Sequence, residues 1–498
     1  MGSRFLKLDS WAYEAIAGLH ARGFLPALSA LAQPYRRLDV AVGVRVIDTL
    51  ALREPSATWV RRLRAELAPE LERLDDAART GRSRERLGVE VAAGARVGDS
   101  RRLEPLIPWR GDATKAWVYT NNGVGGWLET SNVVADVRVH DDRWYRERGG
   151  DPDGRGPGGF YGAGRTDYAY LTLAYDWGSV LIGRVARNWA PLGTEGLMVG
   201  ENPTPYPQLG LDLGRGRVSF RFLAGELDPI EQRNRYLVAN RIDYTSPRLQ
   251  LSVGEAALYA GHGSTLRLIN PVEFLFFDAD ANQERRDITG NIVLNGTFWA
   301  LLGRTSIYGE LMLDDFDLRP RLHEVDRPVE ATSYGIHLGA RHPGPADWVE
   351  LGADYRRVAG WTYRTVAPSE KWTYLDRGLG DAFGDYDRLS LRADLFPDRP
   401  GLRLTPVVQL QRKGEGDPRV PMPGNGAVRG LRGMFQGVLE RTTRAALQGR
   451  WQPVRAAFVD WDVGASRIRN AGHVRGKSET RFSYLARLGL TFAWSRAQ

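Results

Sequence analysis

From Gly88 to the end of the chain, apolar and polar residues alternate with a period of two, and this sustained alternation limits the possible fold more than any other feature. Leu171, Leu173, Tyr175 and Trp177 alternate with Thr172, Ala174 and Asp176. Leu389, Leu391, Ala393 and Leu395 alternate with Ser390, Arg392 and Asp394. In the last segment Phe482, Tyr484, Ala486, Leu488, Leu490, Phe492 and Trp494 share one side, with Arg481, Ser483, Arg487 and Thr491 on the other. These are strands with one greasy and one polar face. A soluble sandwich alternates in the same way, so periodicity alone does not choose between water and lipid outside.

The connections choose. About 18 candidate strands follow one another, near the range of large outer-membrane barrels. Short links such as Asn121-Asn122-Gly123, Gly214-Arg215-Gly216, Pro247-Arg248, Gly303-Arg304 and Gln452-Pro453 alternate with long ones at 141–166, 190–206, 260–289, 315–331, 359–384 and 413–434. Short turns on one rim and long loops on the other are the pattern of an antiparallel transmembrane β-barrel in the outer membrane of a Gram-negative bacterium. An even strand count puts both chain ends on the short-turn rim, hence in the periplasm. A barrel this wide is expected to enclose water, so Arg241 and Asp243, Asp354 and Arg356, Glu440 and Arg444, and Asp460 and Asp462 on the polar face need not be buried dry. Trp127, Trp177, Trp189, Trp348, Trp451, Trp461 and Trp494 suit interfacial girdles.

The first residues have a different grammar. Asp9 and Ser10 precede a helical pattern reaching His20, and Arg22-Gly23 closes it. A second pattern covers 36–52. Pro55-Ser56 opens a third, in which Leu63, Leu67, Leu71 and Leu74 recur along one face. The expected fold is therefore mainly β: residues 1–86 form a small helical domain, a bundle or plug in the periplasm, and residues 87–498 form the barrel.

Composition closes other routes. Hydrophobic residues make up 42% of the chain and the mean hydropathy is −0.38, with no window near the roughly 20 apolar residues a membrane helix needs. Cysteine is absent, which removes disulfides, thiolate metal sites and a Cys nucleophile. The net charge of +8 comes from interspersed signs, against a nucleic-acid patch. The N-terminus, Met1-Gly2-Ser3-Arg4-Phe5-Leu6-Lys7, has no apolar h-region, so the chain is expected to begin at a mature end.

Catalytic and metal motifs are not assembled. Asp314 and Asp315 are neighbours on a strand and point to opposite faces, so they do not form an acid–base pair. Asp278, Asp280 and Asn282 lack the glycine and terminal Glu of a calcium loop. The seven histidines have no ligand spacing, and Gly149 to Gly164 lacks the Lys-Ser/Thr of a phosphate loop. No cofactor or metal is expected.

The segment from Asn234 to Phe316 is the richest in distinctive words: Asn234-Arg235-Tyr236, Arg241-Ile242-Asp243, Gly254-Glu255, Tyr259-Ala260-Gly261, Ile269-Asn270-Pro271, Asn282, Ile307-Tyr308-Gly309-Glu310 and Asp314-Asp315-Phe316. With the helical preface, it resembles the Wzi family of capsule assembly proteins. That resemblance implies an outer-membrane barrel with a periplasmic helical bundle that attaches capsular or extracellular polysaccharide, lectin-like and non-catalytic. It carries no active-site residues.

Sugar binding asks for aromatic faces beside groups that bond hydroxyls. The candidate set is Trp144, Tyr145, Tyr161, Arg241, Asp243, Glu255, Asn270, Phe274, Asp314, Asp315, Trp361 and Trp372. Aromatic residues of the long loops also suit packing of the loops against one another or into the lumen, and both uses fit the sequence. The partners implied are polysaccharide and outer-membrane lipid, with the protein a monomer. The alternative is a porin or sugar-selective channel on the same barrel, which bilayer conductance separates from an attachment protein.

Overall fold

The computed structural model describes residues 1–81, 84–99, 116–142, 165–261, 289–314, 333–397, 401–423 and 433–497, together with 106, 270–272, 275 and 399. The wall begins with β1 Arg86–Gly98, β2 Trp117–Glu129, β3 Val133–Asp142, β4 Arg165–Tyr175, β5 Gly178–Arg184, β6 Pro207–Arg215 and β7 Val218–Ile230. It continues with β8 Arg233–Thr245, β9 Leu249–Gly261, β10 Thr289–Leu302, β11 Thr305–Asp314, β12 Ser333–Pro343 and β13 Val349–Val358. After a separate small hairpin, β14 Thr373–Tyr374 with β15 Arg377–Gly378, it is completed by β16 Tyr386–Leu395, β17 Leu402–Lys413, β18 Glu440–Val454, β19 Ala457–Arg469 and β20 Ser478–Ala497. Each wall strand pairs antiparallel with its neighbours in an 18-stranded sheet. The first strand closes the cylinder on the last, from Arg86 opposite Ala497 to Gly98 opposite Leu485.

The alternation is realised as lipid face and lumen face. Phe482 is 63% exposed, Phe492 64% and Trp494 59%, all outward, while Arg481 and Ser483, which flank Phe482, are buried inside. Trp177, Trp348, Trp451 and Trp494 stand exposed toward the short-turn rim, as an interfacial girdle requires. Trp461 lies over Gly449, where a Cβ would meet its ring at 2.1 Å. Trp127 and Trp189 correct the expectation, since both are buried. Trp127 falls on the inward parity of β2, with the Arg4 guanidinium 3.7 Å from its ring centre.

The turns follow the expected rims with two corrections. Asn121-Asn122-Gly123 is not a turn: it lies within β2, and Gly123 is needed because a Cβ would meet Arg138 Nε at 2.9 Å. The turn lies instead at 130–132, where Thr130 Oγ1 accepts from the Val133 N–H at 2.9 Å. On the long-loop rim, β7 and β8 are joined by the tight turn Glu231-Gln232, with φ of 52° and 62°. Consecutive left-handed residues match strand twist in a hairpin.

The N-terminal region forms four helices, not three: α1 Ala12–Ala21, α2 Arg37–Arg45, α3 Ser56–Glu66 and α4 Ala68–Thr80. The leucine stripe runs across a break at Leu67, because Pro69 lacks an N–H and is tolerated only in a first helical turn. Ile16, Leu19, Val40, Val60 and Leu63 share a core with Trp299 of β10 and Tyr308 of β11. The buried Gln250 of β9 accepts from the Ala30 N–H at 2.6 Å and donates to Leu28 O at 3.1 Å. The helices thus seat inside the short-turn mouth of the barrel.

Charges lock that seat. Glu129, at the end of β2 and wholly buried, faces Arg4 at 3.7 Å, Arg73 at 3.6 Å and Arg86 at 3.7 Å. Glu70 of α4 is bound by Arg37 at 2.8 Å, and Arg37 also reaches Glu66 at 3.0 Å. Burial by itself raises the Glu70 pKa, but the Arg37 guanidinium overrides it and holds the carboxyl down at about 2. The contribution is therefore present above the unfolded value of about 4.3 and is lost as pH falls toward 2, a loss of roughly 3 kcal/mol at about 1.4 kcal/mol per unit. Thermal unfolding followed at the helical signal should show Tm falling between about pH 4.3 and 2. Glu70→Gln should be destabilised at pH 7 and lack that acid limb; an unchanged limb in the variant means another group carries it.

Candidate functional site

Two long connections turn inward and fill much of the lumen. The segment 185–206, between β5 and β6, buries Trp189, Leu197, Met198, Val199 and Tyr206. The segment 359–385, between β13 and β16, buries Trp361, Tyr363, Trp372, Tyr374 and Leu379. Most of these side chains form one apolar cluster with inward residues of the wall, among them Leu237, Ala239, Leu258, Val293 and Met312. Where the two segments cross, a Cβ at Gly380 would lie 1.8 Å from Leu197 O. Tyr363 donates through its hydroxyl to Leu197 O at 2.6 Å, and Trp372 Nε1 donates to Met198 O at 3.1 Å. The first segment also meets the helical region: Gln33 and Asn188 exchange backbone hydrogen bonds of 2.8 and 3.0 Å, and Leu192 N donates to Ala30 O at 2.7 Å. One packed column therefore runs from the helices through both segments. The expectation of a water-filled lumen is corrected along this part of the wall, because aromatic connections long enough to reach the axis are folded into it.

Charged wall residues pin the column. Arg235, wholly buried, donates to Ser369 O at 2.7 Å, to Lys371 O and to Thr373 O at 2.9 Å, and pairs with Asp228 at 3.2 Å. Glu310 accepts from Leu197 N at 3.0 Å, Met198 N at 3.4 Å and Asn295 Nδ2 at 2.8 Å. Asp314 accepts from Tyr363 N at 2.8 Å. Arg356 donates to Glu195 O at 2.8 Å and pairs with Asp381. Arg241 pairs with Asp243 at 2.6 Å, Arg221 bridges Asp243 and Asp212 at 2.8 and 3.0 Å, and the Arg241 guanidinium sits 5.4 Å from the Trp189 ring centre. Nearer the long-loop rim, Asp385 accepts from Gly416 N at 3.0 Å and Gln436 N at 2.8 Å, which docks the 414–439 connection onto the second segment.

Of the residues expected to bind sugar, Arg241, Asp243, Glu255, Asp314, Trp361 and Trp372 are buried. Glu255 accepts from Leu275 N at 2.8 Å, and the Arg364 guanidinium lies 4.8 Å from the Trp361 ring centre. At 1% and 0% exposure, Trp361 and Trp372 present no ring face to a polymer in this arrangement. Asn270 is exposed and accepts from Val272 N at 3.2 Å. Trp144, Tyr145, Tyr161, Phe274 and Asp315 lie outside the described residues. The distinctive words between Asn234 and Asp314 are thus largely the staples of the column. Arg356, Asp381, Arg364 and Asp385 were missed as members of it. Arg356 alone carried a signal, as a charge at inward parity in a strand; the other three sit in loops without periodicity. Among the described residues no group of three or more potential metal ligands occurs.

A closed antiparallel cylinder, apolar outside and polar or filled inside, defines an outer-membrane β-barrel. Neither protein-family models nor curated protein sequences match the chain. Among solved structures it is similar to Wzi, described as an outer membrane protein involved in group 1 capsule assembly in Escherichia coli and a carbohydrate-binding β-barrel. The TM-score is 0.62 at 12% identity, over 98% of this chain and 100% of that one. Looser likenesses are OpdO of Pseudomonas aeruginosa, with TM-score 0.46 at 12% identity over 83% of this chain and 97% of that one, and the outer membrane channel DcaP of Acinetobacter baumannii, with 0.40 at 12% over 82% and 97%. The similarity is one of fold.

Glu310→Ala leaves two insert N–H groups without their acceptor, at about 1–3 kcal/mol for each buried group, and Arg235→Ala orphans the carbonyls of 369–373. Both variants should assemble as barrels but release the column. Cells should become permeable to a bulky antibiotic, and the purified protein should be cut by protease within 190–203 or 366–379. A variant as impermeable and protease-resistant as the parent would remove these residues from the role of staples.

Proposed function

We propose that this protein holds an extracellular or capsular polysaccharide at the outer-membrane surface, as a non-catalytic binding barrel that acts as a monomer. The observation that carries the reading is the packed column. A general diffusion channel needs an open lumen, whereas here helices close one mouth and two aromatic segments occupy the interior. Short turns and both ends of the wall share the rim where the helices sit, which supports a periplasmic position for the helical region. The rim that carries the long connections then faces the exterior. Polymer contact belongs to these connections, with Trp144, Tyr145, Tyr161, Asn270, Phe274 and Asp315 as candidates, while the buried Arg241, Asp243, Glu255, Asp314, Trp361 and Trp372 keep the platform rigid. The fold likeness to a carbohydrate-binding barrel supports this reading; neither nucleic acid nor a cofactor enters it.

Deletion of the gene should leave polymer secreted but no longer cell-bound, and the purified protein in a planar bilayer should show no large steady conductance. Polymer that stays on the deleted cells, or a wide open channel, overturns the proposal.

A further inference from the structure

Opposite the column, Arg403, Arg450 and Arg487 of the wall line open cavities. Where α1, α3 and the 396–401 turn meet the inner face of β17 and β18, a cavity of ≈ 240 Å³ is lined by Trp11, Trp59, Arg62, Phe396, Arg403 and Arg450. It adjoins two deeper lumen cavities of ≈ 370 and ≈ 360 Å³, and Arg450 lines all three. Together they reach the ~300–1,000 Å³ of ordinary ligand clefts. Exposed Glu54 and Arg399 mark the mouth, on the short-turn rim.

The seam is short of anions. Four guanidiniums, of Arg62, Arg399, Arg403 and Arg450, face two carboxylates, those of Glu14 and Glu54. Glu54 is taken by Arg61 at 2.6 Å; Glu14 is shared by Arg403 at 2.9 Å and Arg450 at 3.8 Å, which also pair with Asp394 at 3.9 Å and Asp460 at 3.3 Å, so the shortage falls on Arg62 and Arg399. Among the described residues Arg62 has no carboxylate within 4 Å; it stacks on Trp11 at 4.3 Å and donates to Gln452 O at 3.2 Å. Burial, and then the neighbouring Arg450 charge, lower the Arg62 pKa. The buried Nε of Arg403 has no hydrogen-bond acceptor among the described residues. Aromatic surface is interleaved: Trp59 meets Phe396 edge-on at 4.8 Å, and Phe458 lies between the Arg450 and Arg487 guanidiniums at 5.0 and 5.2 Å.

We propose that this seam is a binding site for an acidic saccharide, entered from the short-turn rim, with carboxylates on Arg62, Arg399 and Arg403 and sugar faces against Trp11 and Phe396. Guanidinium forks match carboxylates in two-point geometry, and aromatic faces take the C–H face of a pyranose. Arg403, Arg450 and Gln452 face inward, so the barrel wall separates the site from lipid headgroups. The proposal deepens the polysaccharide reading and rests on it, but places recognition on the opposite rim from the outer loops.

Full-length protein in detergent should bind tetragalacturonate, read by tryptophan fluorescence and calorimetry, more weakly as salt rises, and should not bind maltotetraose. Arg62→Gln and Arg399→Ser should each weaken the uronate by about tenfold, the loss of one charge-assisted contact, while Arg79→Gln, an exposed residue of α4 that lines none of these cavities, should leave it unchanged. Arg399 is exposed, so its variant carries the test if Arg62→Gln unseats the helices. Absent uronate binding, equal binding of the neutral sugar, or full affinity in both variants overturns the seam. Cells of the double variant that still hold polymer, beside deleted cells that do not, overturn the seam while leaving the surface-attachment reading in place.

Discussion

Closure is the condition on which everything else in this molecule depends. In hydrocarbon an unpaired backbone N–H or C=O has no water to bond, so a sheet crosses a membrane only if its first and last strands meet. Here β1 pairs along its whole length with β20, and that seam also fixes where the chain ends lie. The helices are joined directly to β1, so closure brings them to the same mouth. The buried ring of Glu129 with Arg4, Arg73 and Arg86 sits beside this junction, which makes the helical seat an extension of the closing seam.

Closure with 18 strands creates a second problem, because the enclosed space is too wide for wall side chains to fill. Porins leave it to water. This chain fills part of it with its own connections, and the fill is apolar at its centre and charged where it meets the wall. Buried ion pairs are weak sources of stability but costly to break. Staples such as Arg235, Glu310 and Arg356 therefore set one position for each segment, since any shift leaves a charge or a row of carbonyls without partners. An all-apolar contact between the same segments would tolerate sliding.

How much of this was legible in the sequence divides along a physical line. A period of two reports which face a residue occupies, so the strand count, the outward row ending in Phe492 and Trp494 and the shared rim of both chain ends could be read directly. Parity does not report what lies on the inner side. Trp189 in a long loop and Arg241 in a strand looked like girdle and lumen residues because nothing local says that a loop folds back to cover them. Asn121-Asn122-Gly123 has the composition of a turn, yet its glycine serves the close approach of Arg138. The leucine stripe of the third helical pattern is real, but one proline divides it. The staples were visible as unusual words but not as staples, because a buried carboxylate binding its own backbone and an exposed one binding a sugar have the same sequence signature.

The fill is also one-sided, and this asymmetry bears on function. Column and staples occupy the β7–β13 half, whereas on the inner faces of β17 to β20 Arg403, Arg450 and Arg487 line open cavities. Packing the second half would have been the simpler route to a stable, closed barrel, since apolar residues of similar volume replace buried ion pairs at little or no cost. A wall kept charged beside a wall made dry is what a protein needs if it must block free diffusion and still present polar groups to a polymer. On the reading proposed above, the column gives the barrier and rigidity, and the open half gives the chemistry. In such a division binding does not require a pore, because guanidinium and indole groups at a mouth can hold a chain that the column does not let through.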